Sequence, residues 1–136
     1  MVLNSSFSLV WTQSDGFIAY VIDTFFEQPQ LDSTALIRGR WPDGETRTWL
    51  YYGREHNPIS QAQYDKFRKA AKTRGGVYTM EICEFVVEEM LPDGGALLNY
   101  WRRVRDDTGE GGRVIVTQQG DCWIVTTQLG GWENRP

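Results

Sequence analysis

The sequence has few of the residues that most often build catalytic or metal centres. Its 136 residues include one histidine, His56, and two cysteines, Cys83 and Cys122. A single histidine excludes a His-Glu-x-x-His helix and any site that needs paired histidines. The glycine-rich run 109–112 lacks the Lys-Ser/Thr of a phosphate-binding loop, and no Gly-x-Gly-x-x-Gly pattern occurs. We therefore predict no catalytic residue, no metal and no cofactor, and the balance favours a protein that is not an enzyme.

Long apolar runs and an export signal are also missing. The longest apolar run, residues 17–26, is interrupted by Asp23 and Thr24 and is too short to span a bilayer. Residues 1–6 contain no basic stretch followed by an apolar one, so we expect a cytoplasmic protein without membrane association. In that compartment Cys83 and Cys122, which lie in predicted strands, are expected to be reduced and buried rather than joined.

Basic residues are absent from the first 37 positions. That segment contains Asp15, Asp23, Glu27 and Asp32, which account for the net charge of −4, while acidic and basic residues balance in the remainder. An acidic total disfavours a nucleic-acid partner, although residues 66–74 are rich in lysine and arginine. Asp23 and Glu27 are four residues apart, a spacing at which like charges destabilise a helix unless a partner compensates them.

Aspartate–glycine pairs mark the turns of a hairpin-rich fold, because glycine accepts the positive φ that tight turns require. They are Asp15-Gly16, Asp43-Gly44, Asp93-Gly94 and Gly120-Asp121, and three of the four lie between apolar runs that could pair as strands. The predicted strand pairs are residues 35–41 with 46–52, 79–90 with 96–105, and 113–119 with 122–128. Residues 79–90 also fit a helix, since Glu81, Glu84 and Glu88 would share one face, but the turn that follows favours a strand. Residues 109–112 are expected to form a flexible loop, and residues 130–136 a tail.

Two helices are predicted from apolar spacing and caps. In the first, apolar side chains recur at helical intervals over residues 18–26, with Ser14 as N-cap; a hairpin around residues 14–16 is the alternative. Asn57 followed by Pro58 is typical of a helix start, and that helix should run to about Arg74. Its predicted buried stripe consists of Ile59, Ala62, Phe67, Ala70 and Ala71.

The elements together predict one α+β domain over residues 1–136. We expect a curved antiparallel β-sheet built from hairpins, with two or three helices packed on one side. This order of elements, ending in the strand of residues 120–125, resembles the cone-shaped NTF2-like fold. The resemblance implies a pocket between helices and sheet. It implies no single function, because that fold serves isomerases, dehydratases, non-catalytic binders and immunity proteins.

Aromatic residues are abundant, at 13% of the chain. Tryptophan and tyrosine bury large areas in cores and also dominate recognition surfaces. We expect Trp41, beside a turn, and Trp132, in the predicted tail, to be exposed contacts. The core or a pocket wall should contain Trp11, Trp49, Trp101 and Trp123. A carboxylate among Glu81, Glu84, Glu88 and Glu89 would be a candidate general acid or base if it faced an apolar pocket, and a solvated side chain otherwise.

Two functional hypotheses follow. The first is a non-catalytic protein-binding domain, such as an acidic inhibitor or immunity-type protein that neutralises a basic toxin or nuclease domain. Its binding residues would be Asp23, Glu27, Trp41 and Trp132, with the acidic groups steering association. The alternative is a small-molecule-binding enzyme or carrier with an aromatic-lined pocket between helices and sheet. A structural or assembly subunit, including a component of a homodimer, is the remaining alternative.

Overall fold

A computed structural model describes residues 10–26, 34–71, 77–105 and 108–134. Residues 10–12 are helical, and the elements that follow are two helices and seven strands. In chain order they are α1 (Asp15–Phe25), β1 (Ala35–Arg40), β2 (Thr46–Tyr52), β3 (Glu55–Ile59), α2 (Gln61–Ala71), β4 (Val77–Met90), β5 (Ala96–Arg105), β6 (Thr108–Gln119) and β7 (Cys122–Asn134). None of the helices in these residues is long and apolar enough to cross a membrane.

The strands form one open sheet in the order β3-β2-β1-β4-β5-β6-β7. All neighbours pair antiparallel except β1 and β4, which are parallel. A parallel pair needs a crossover connection, and here the connection between β1 and β4 contains β2, β3 and α2. The predicted α+β class and the curved sheet built from hairpins are confirmed.

Helix α1 forms as its apolar spacing predicts. The Ser14 hydroxyl accepts a hydrogen bond from the Phe17 backbone N–H at 3.2 Å, which caps the first turn. Four apolar side chains on one stripe are fully buried: Phe17, Ile18, Val21 and Ile22. The alternative hairpin around residues 14–16 is therefore wrong. Glu27 lies outside the described residues.

Helix α2 begins later than predicted. Asn57 and Pro58 belong to β3, the edge strand paired with β2, where a proline is tolerated because one side of the strand has no partner. The cap is Ser60, whose hydroxyl accepts from Gln63 N at 3.1 Å while Ser60 N donates to Gln63 Oε1 at 2.9 Å. This reciprocal pair is a capping box, and it replaces the predicted Asn57 cap.

The buried stripe of α2 also differs from the prediction. Tyr64 and Ala71 are buried and Phe67 is half-buried, whereas Ala62 and Ala70 are exposed. Because the helix begins later, the large Tyr64 ring packs in the buried cluster beneath α2. The predicted helix end near Arg74 lies outside the described residues.

The two Pro-Asp-Gly turns adopt the same local structure. Gly44 and Gly94 have φ values of 90° and 86°, the region that favours glycine. In each turn the aspartate carboxylate accepts a hydrogen bond from the backbone two residues on: Asp43 from Glu45 N and Asp93 from Gly95 N, both at 2.9 Å. The predicted hairpins and the strand over residues 79–90 are confirmed.

Two glycine-rich segments are strands rather than a loop and a tail. Residues 109–112 lie within β6 and residues 130–134 within β7. A Cβ at Gly111 would collide with the Tyr100 carbonyl oxygen and lie 2.7 Å from Trp132 Nε1. Glycine is therefore required there by close packing between strands, so the flexible-loop prediction is wrong.

The two faces of the sheet carry separate buried clusters. Ile37 packs in the cluster that contains α1, and its neighbour Leu36 packs in the cluster that contains Tyr64 and Ala71 of α2. Since adjacent residues of a strand point to opposite faces, α1 and α2 cover opposite faces. The expectation that the helices share one side is not met, because the crossover through α2 places it behind β1, β2 and β4.

Tryptophan burial agrees with the prediction only in part. Trp49 and Trp123 are buried, and Trp101 is half-buried. Trp41, predicted to be exposed, is 2% exposed, because its ring packs edge-on against Phe85 with centroids 5.5 Å apart. Trp11, predicted to be core, is 42% exposed.

The two cysteines are free, but only Cys83 is buried. Cys122, the first residue of β7, is exposed, so its predicted burial is wrong. Its position beside the turn at residues 120–121 places it at the end of the hairpin, away from the centre of the sheet.

Candidate functional site

An aromatic wall forms where the end of α1 meets β5. Alternation along β5 places Ala96, Leu98 and Tyr100 on the face that α1 covers. The ring of Phe25, the last residue of α1, stacks on Tyr100 with centroids 4.1 Å apart and an interplanar angle of 25°. Phe26 meets the same Tyr100 ring edge-on at 6.4 Å. The stack holds the Tyr100 ring at the edge of the buried cluster that contains α1.

Arg102 continues the same face two residues beyond Tyr100. Its Nη2 donates to Glu81 Oε1 at 2.8 Å, and its Nε lies 3.5 Å from Glu110 Oε1. Burial alone would lower the pKa of Arg102, but the hydrogen bond and the negative charge of Glu81 outweigh burial and raise the pKa above its usual value. Arg102 is therefore a permanent cation held between two carboxylates.

Glu81 is the buried member of this group, with 1% of its surface exposed. One carboxylate oxygen receives the Arg102 hydrogen bond, while Oε2 is buried and has no hydrogen-bond partner among the described residues. A buried charge is tolerated when it is paired, so the position of Glu81 depends on Arg102.

The other carboxylates of β4 differ from Glu81. Glu84 pairs with Arg38 at 2.7 Å and Glu88 with Arg113 at 2.8 Å, and both retain solvent exposure. Glu89 is exposed. Of the four glutamates considered from the sequence, only Glu81 is withdrawn from solvent beside a cavity-lining residue.

Strands β6 and β7 complete the site with glycine and carboxylate residues. The register places Glu110 opposite Arg102 on one side and opposite Glu133 on the other. Gly111 pairs with Trp132, and Gly131 with Gly112. The Trp132 side chain covers Gly111 and the Tyr100 side chain covers Gly112, at 2.7 Å and 2.8 Å from where their Cβ atoms would lie. Burial, and then the negative charge of Glu110, raise the pKa of Tyr100 above its ordinary value.

These residues surround an open cavity of about 580 Å³ between α1 and the sheet. Small-molecule sites in proteins usually measure about 300–1,000 Å³ and combine apolar walls with a few polar groups. The lining residues are Thr24, Phe25, Tyr100, Arg102, Glu110, Gly111, Gly131, Trp132 and Glu133. No group of three histidine, cysteine, aspartate or glutamate side chains suited to a metal ion occurs in the described part of the chain.

The structure does not bring the predicted binding residues together. Asp23 is exposed on α1, one residue before the cavity-lining Thr24. Trp132 lines the cavity, and its ring lies 5.2 Å from the Arg103 guanidinium. Trp41 is buried within the α1 cluster, and Glu27 lies outside the described residues.

Sequence reasoning missed most of the cavity lining. Tyr100 and Arg102 share a face of a correctly predicted strand, so alternation could have paired them. The sequence predicts a loop over Glu110 and Gly111, and a loop has no register that would set Glu110 opposite Arg102. The sequence indicates Glu81 as a candidate acid or base but does not indicate its arginine partner.

Comparison of the chain with protein-family models, with curated proteins and with solved structures found no match. The resemblance to the NTF2-like fold therefore stays a prediction.

Proposed function

We propose that the protein binds a small molecule in the cavity between α1 and strands β5, β6 and β7. The cavity carries this proposal because it combines the size of a ligand site with an aromatic wall and a buried ion pair at its border. Buried ion pairs add little to stability compared with apolar packing, so their placement beside a cavity favours a role in recognition.

The lining has distinct apolar and polar sides. The stacked Phe25 and Tyr100 rings give the cavity an aromatic wall that can pack against an apolar group of the ligand. Arg102 and Glu110 provide polar groups on the neighbouring strands. This arrangement supports binding and orientation of a ligand, as in a carrier or in the substrate site of an enzyme.

A variant that fills the cavity tests this proposal. Thr24→Trp places a large ring at the cavity wall, and Gln119→Trp is the matched control on an exposed residue at the end of β6. Each protein is incubated with a small-molecule extract, separated by gel filtration and denatured, and the released compounds are identified by mass spectrometry.

We expect one compound to be retained by the wild type and by Gln119→Trp but not by Thr24→Trp. That compound should also raise the melting temperature of the wild type, because a ligand at 100 times its Kd stabilises the native state by about 2.7 kcal/mol. Equal retention by both tryptophan variants, or no retained compound, would contradict the proposal.

A second candidate function is the acidic inhibitor of a basic protein such as a toxin or nuclease domain. The observation that favours it is that exposed Asp23 directly precedes Thr24, a residue of the cavity lining to which Glu110 and Glu133 also belong. Trp41 cannot be its central anchor, since that side chain is buried. With a basic partner, Asp23→Lys should slow association and weaken its salt dependence; an unchanged on-rate would exclude Asp23 from the interface.

A further inference from the structure

We infer that the ligand of this cavity is a small organic cation, such as an amine or guanidinium attached to a planar apolar group. This inference rests on the proposed small-molecule function and specifies the charge of the ligand. It follows from three features of the lining: the pairing of Arg102, the placement of Glu110 and the orientation of the aromatic wall.

Arg102 is poorly available to an anion. Its Nη2 is held by Glu81 at 2.8 Å, and Glu81 is almost completely buried, so the positive charge is compensated within the protein. The side chain of Arg102 is itself only 13% exposed. An anion would have to compete with the Glu81 carboxylate, which already accepts a hydrogen bond from the guanidinium.

Glu110 remains available at the cavity. Its side chain is 52% exposed, and its 3.5 Å separation from Arg102 Nε is longer than a strong charge-assisted hydrogen bond. A cation placed beside Glu110 would be attracted by its exposed carboxylate, whereas an anion would be repelled.

The aromatic wall favours the same ligand charge. A cation placed over the face of an aromatic ring is attracted by the ring's quadrupole. Phe25 covers one side of the Tyr100 ring and holds it in place. Gly111 and Gly131 line the cavity with backbone atoms only.

Three probes with the same ring and different charges test the inference. Benzylammonium, benzyl alcohol and benzoate are titrated into the full chain, and the backbone amide shifts of Gly111 and Gly131 are followed by NMR. We expect benzylammonium to bind at least about tenfold more tightly than benzoate, a difference of about 1.4 kcal/mol.

Variants assign the charge preference to one residue. Glu110→Gln keeps the side-chain shape and removes the charge, so it should weaken benzylammonium binding about tenfold and leave benzyl alcohol binding unchanged. Glu89→Gln, on an exposed carboxylate of β4 that does not line the cavity, is the matched control and should change neither. Retained benzyl alcohol binding shows that a variant is folded.

The outcomes separate the two proposals. If benzoate shifts the Gly111 and Gly131 amides with equal or higher affinity than benzylammonium, the cation inference is overturned and the small-molecule function stands. An equal effect of Glu110→Gln on all three probes also overturns the cation inference. If none of the probes shifts these amides, the cavity is not a ligand site and the proposed function fails.

Discussion

At the scale of single residues, Gly39 shows how a neighbour can dictate the smallest side chain. It lies in the interior of β1, where glycine ordinarily weakens a strand. The Phe85 ring of β4 occupies the space above it, and a Cβ at Gly39 would lie 2.7–2.8 Å from the Cε atoms of that ring. Phe85 in turn packs against Trp41 and Trp49.

We predict that Gly39→Ala destabilises the protein by about 1–3 kcal/mol, because an extra carbon forces a packed ring out of its place. Gly130→Ala is the control, since a Cβ there meets no atom within 4 Å. Chemical denaturation measures both. Equal losses would show that Phe85 moves freely and that packing does not require glycine at position 39.

Tyr64 is a buried residue whose hydroxyl has no hydrogen-bond partner among the described residues. Burial, and then the negative charge of Glu84, raise its pKa to about 12. In the unfolded chain the hydroxyl titrates near pH 10, as model tyrosines do. The native state therefore keeps this proton over a range in which the unfolded state loses it, so Tyr64 reduces stability as pH rises from about 10 to 12.

We predict that Tyr64→Phe is close to neutral or stabilising at pH 7, because it removes an unpaired hydroxyl and keeps the ring. At a pH of about 11 the free energy of unfolding of Tyr64→Phe, relative to the wild type, should be roughly 1 kcal/mol higher than at pH 7. Denaturation midpoints at the two pH values decide this. A difference between the proteins that does not change with pH would mean that Tyr64 titrates normally in the native state.

The cysteines provide a test of burial by chemistry. Burial raises the pKa of the Cys83 thiol far above its ordinary value, whereas Cys122 is exposed. Because the thiolate is the reactive form, Cys83 should be protected from reagents both by its raised pKa and by its burial. We predict that thiol reagents label Cys122 in the native protein and label Cys83 only on unfolding. Cys122→Ser should leave a native protein that does not react, and rapid native labelling of that variant would contradict the burial of Cys83.

At the scale of elements, α2 shows that cap chemistry outweighs a proline signal. Asn57-Pro58 has the residue types of a helix start, but the Ser60–Gln63 box satisfies two backbone groups reciprocally. Residues 55–59 instead extend the sheet as β3, and Thr48 on β2 donates from its hydroxyl to the Ile59 carbonyl at 2.7 Å. Strand β3 ends at Ile59, so the next residue of the chain is the cap, Ser60.

We predict that Ser60→Ala costs about 1 kcal/mol, the usual loss for an N-cap. Asn57→Ala should cost less, because the Asn57 amide is exposed and its bonds to backbone carbonyls are 3.2 Å and 3.3 Å long. Thermal denaturation followed by circular dichroism compares the two. A larger loss at Asn57 would restore the earlier helix start that the sequence predicts.

At the scale of the whole molecule, three glutamates of β4 each pair with an arginine on another strand of the described chain. Glu84 links β4 to Arg38 of β1, Glu81 links β4 to Arg102 of β5, and Glu88 links β4 to Arg113 of β6. They differ in solvent exposure, from Glu81 at 1% to Arg113 at 50%. Screening by water should make their contributions to stability unequal.

We predict that Glu81→Ala destabilises the protein by about 3–5 kcal/mol, because it leaves the Arg102 charge without its buried partner. Glu88→Ala breaks an exposed pair and should cost less than about 1 kcal/mol. Denaturant titration measures both losses. Similar losses in the two variants would mean that water solvates the unpaired Arg102 charge as well as it solvates the unpaired Arg113 charge.

Local patterns predicted the elements better than their assembly. The spacing of Ile18, Val21 and Ile22 predicted α1, and the Pro-Asp-Gly turns predicted the hairpins, because both depend on residues within a few positions of one another. The candidate site was predicted only as a pocket between helix and sheet. Its main polar contact joins Glu81 to Arg102 across two strands, and the register that brings them together is not a local property.

The sequence by itself determined α1, the hairpin turns and the α+β class, since apolar periodicity and glycine at positive φ act through local sterics. The tertiary structure decided the parallel pairing of β1 with β4, the burial of Trp41 against Phe85, and the strand conformation of residues 109–112. It also decided that Tyr100, Arg102 and Glu110 share a cavity with the end of α1. These features depend on which distant segments pack together, and that choice minimises the free energy of the whole chain rather than of any one segment.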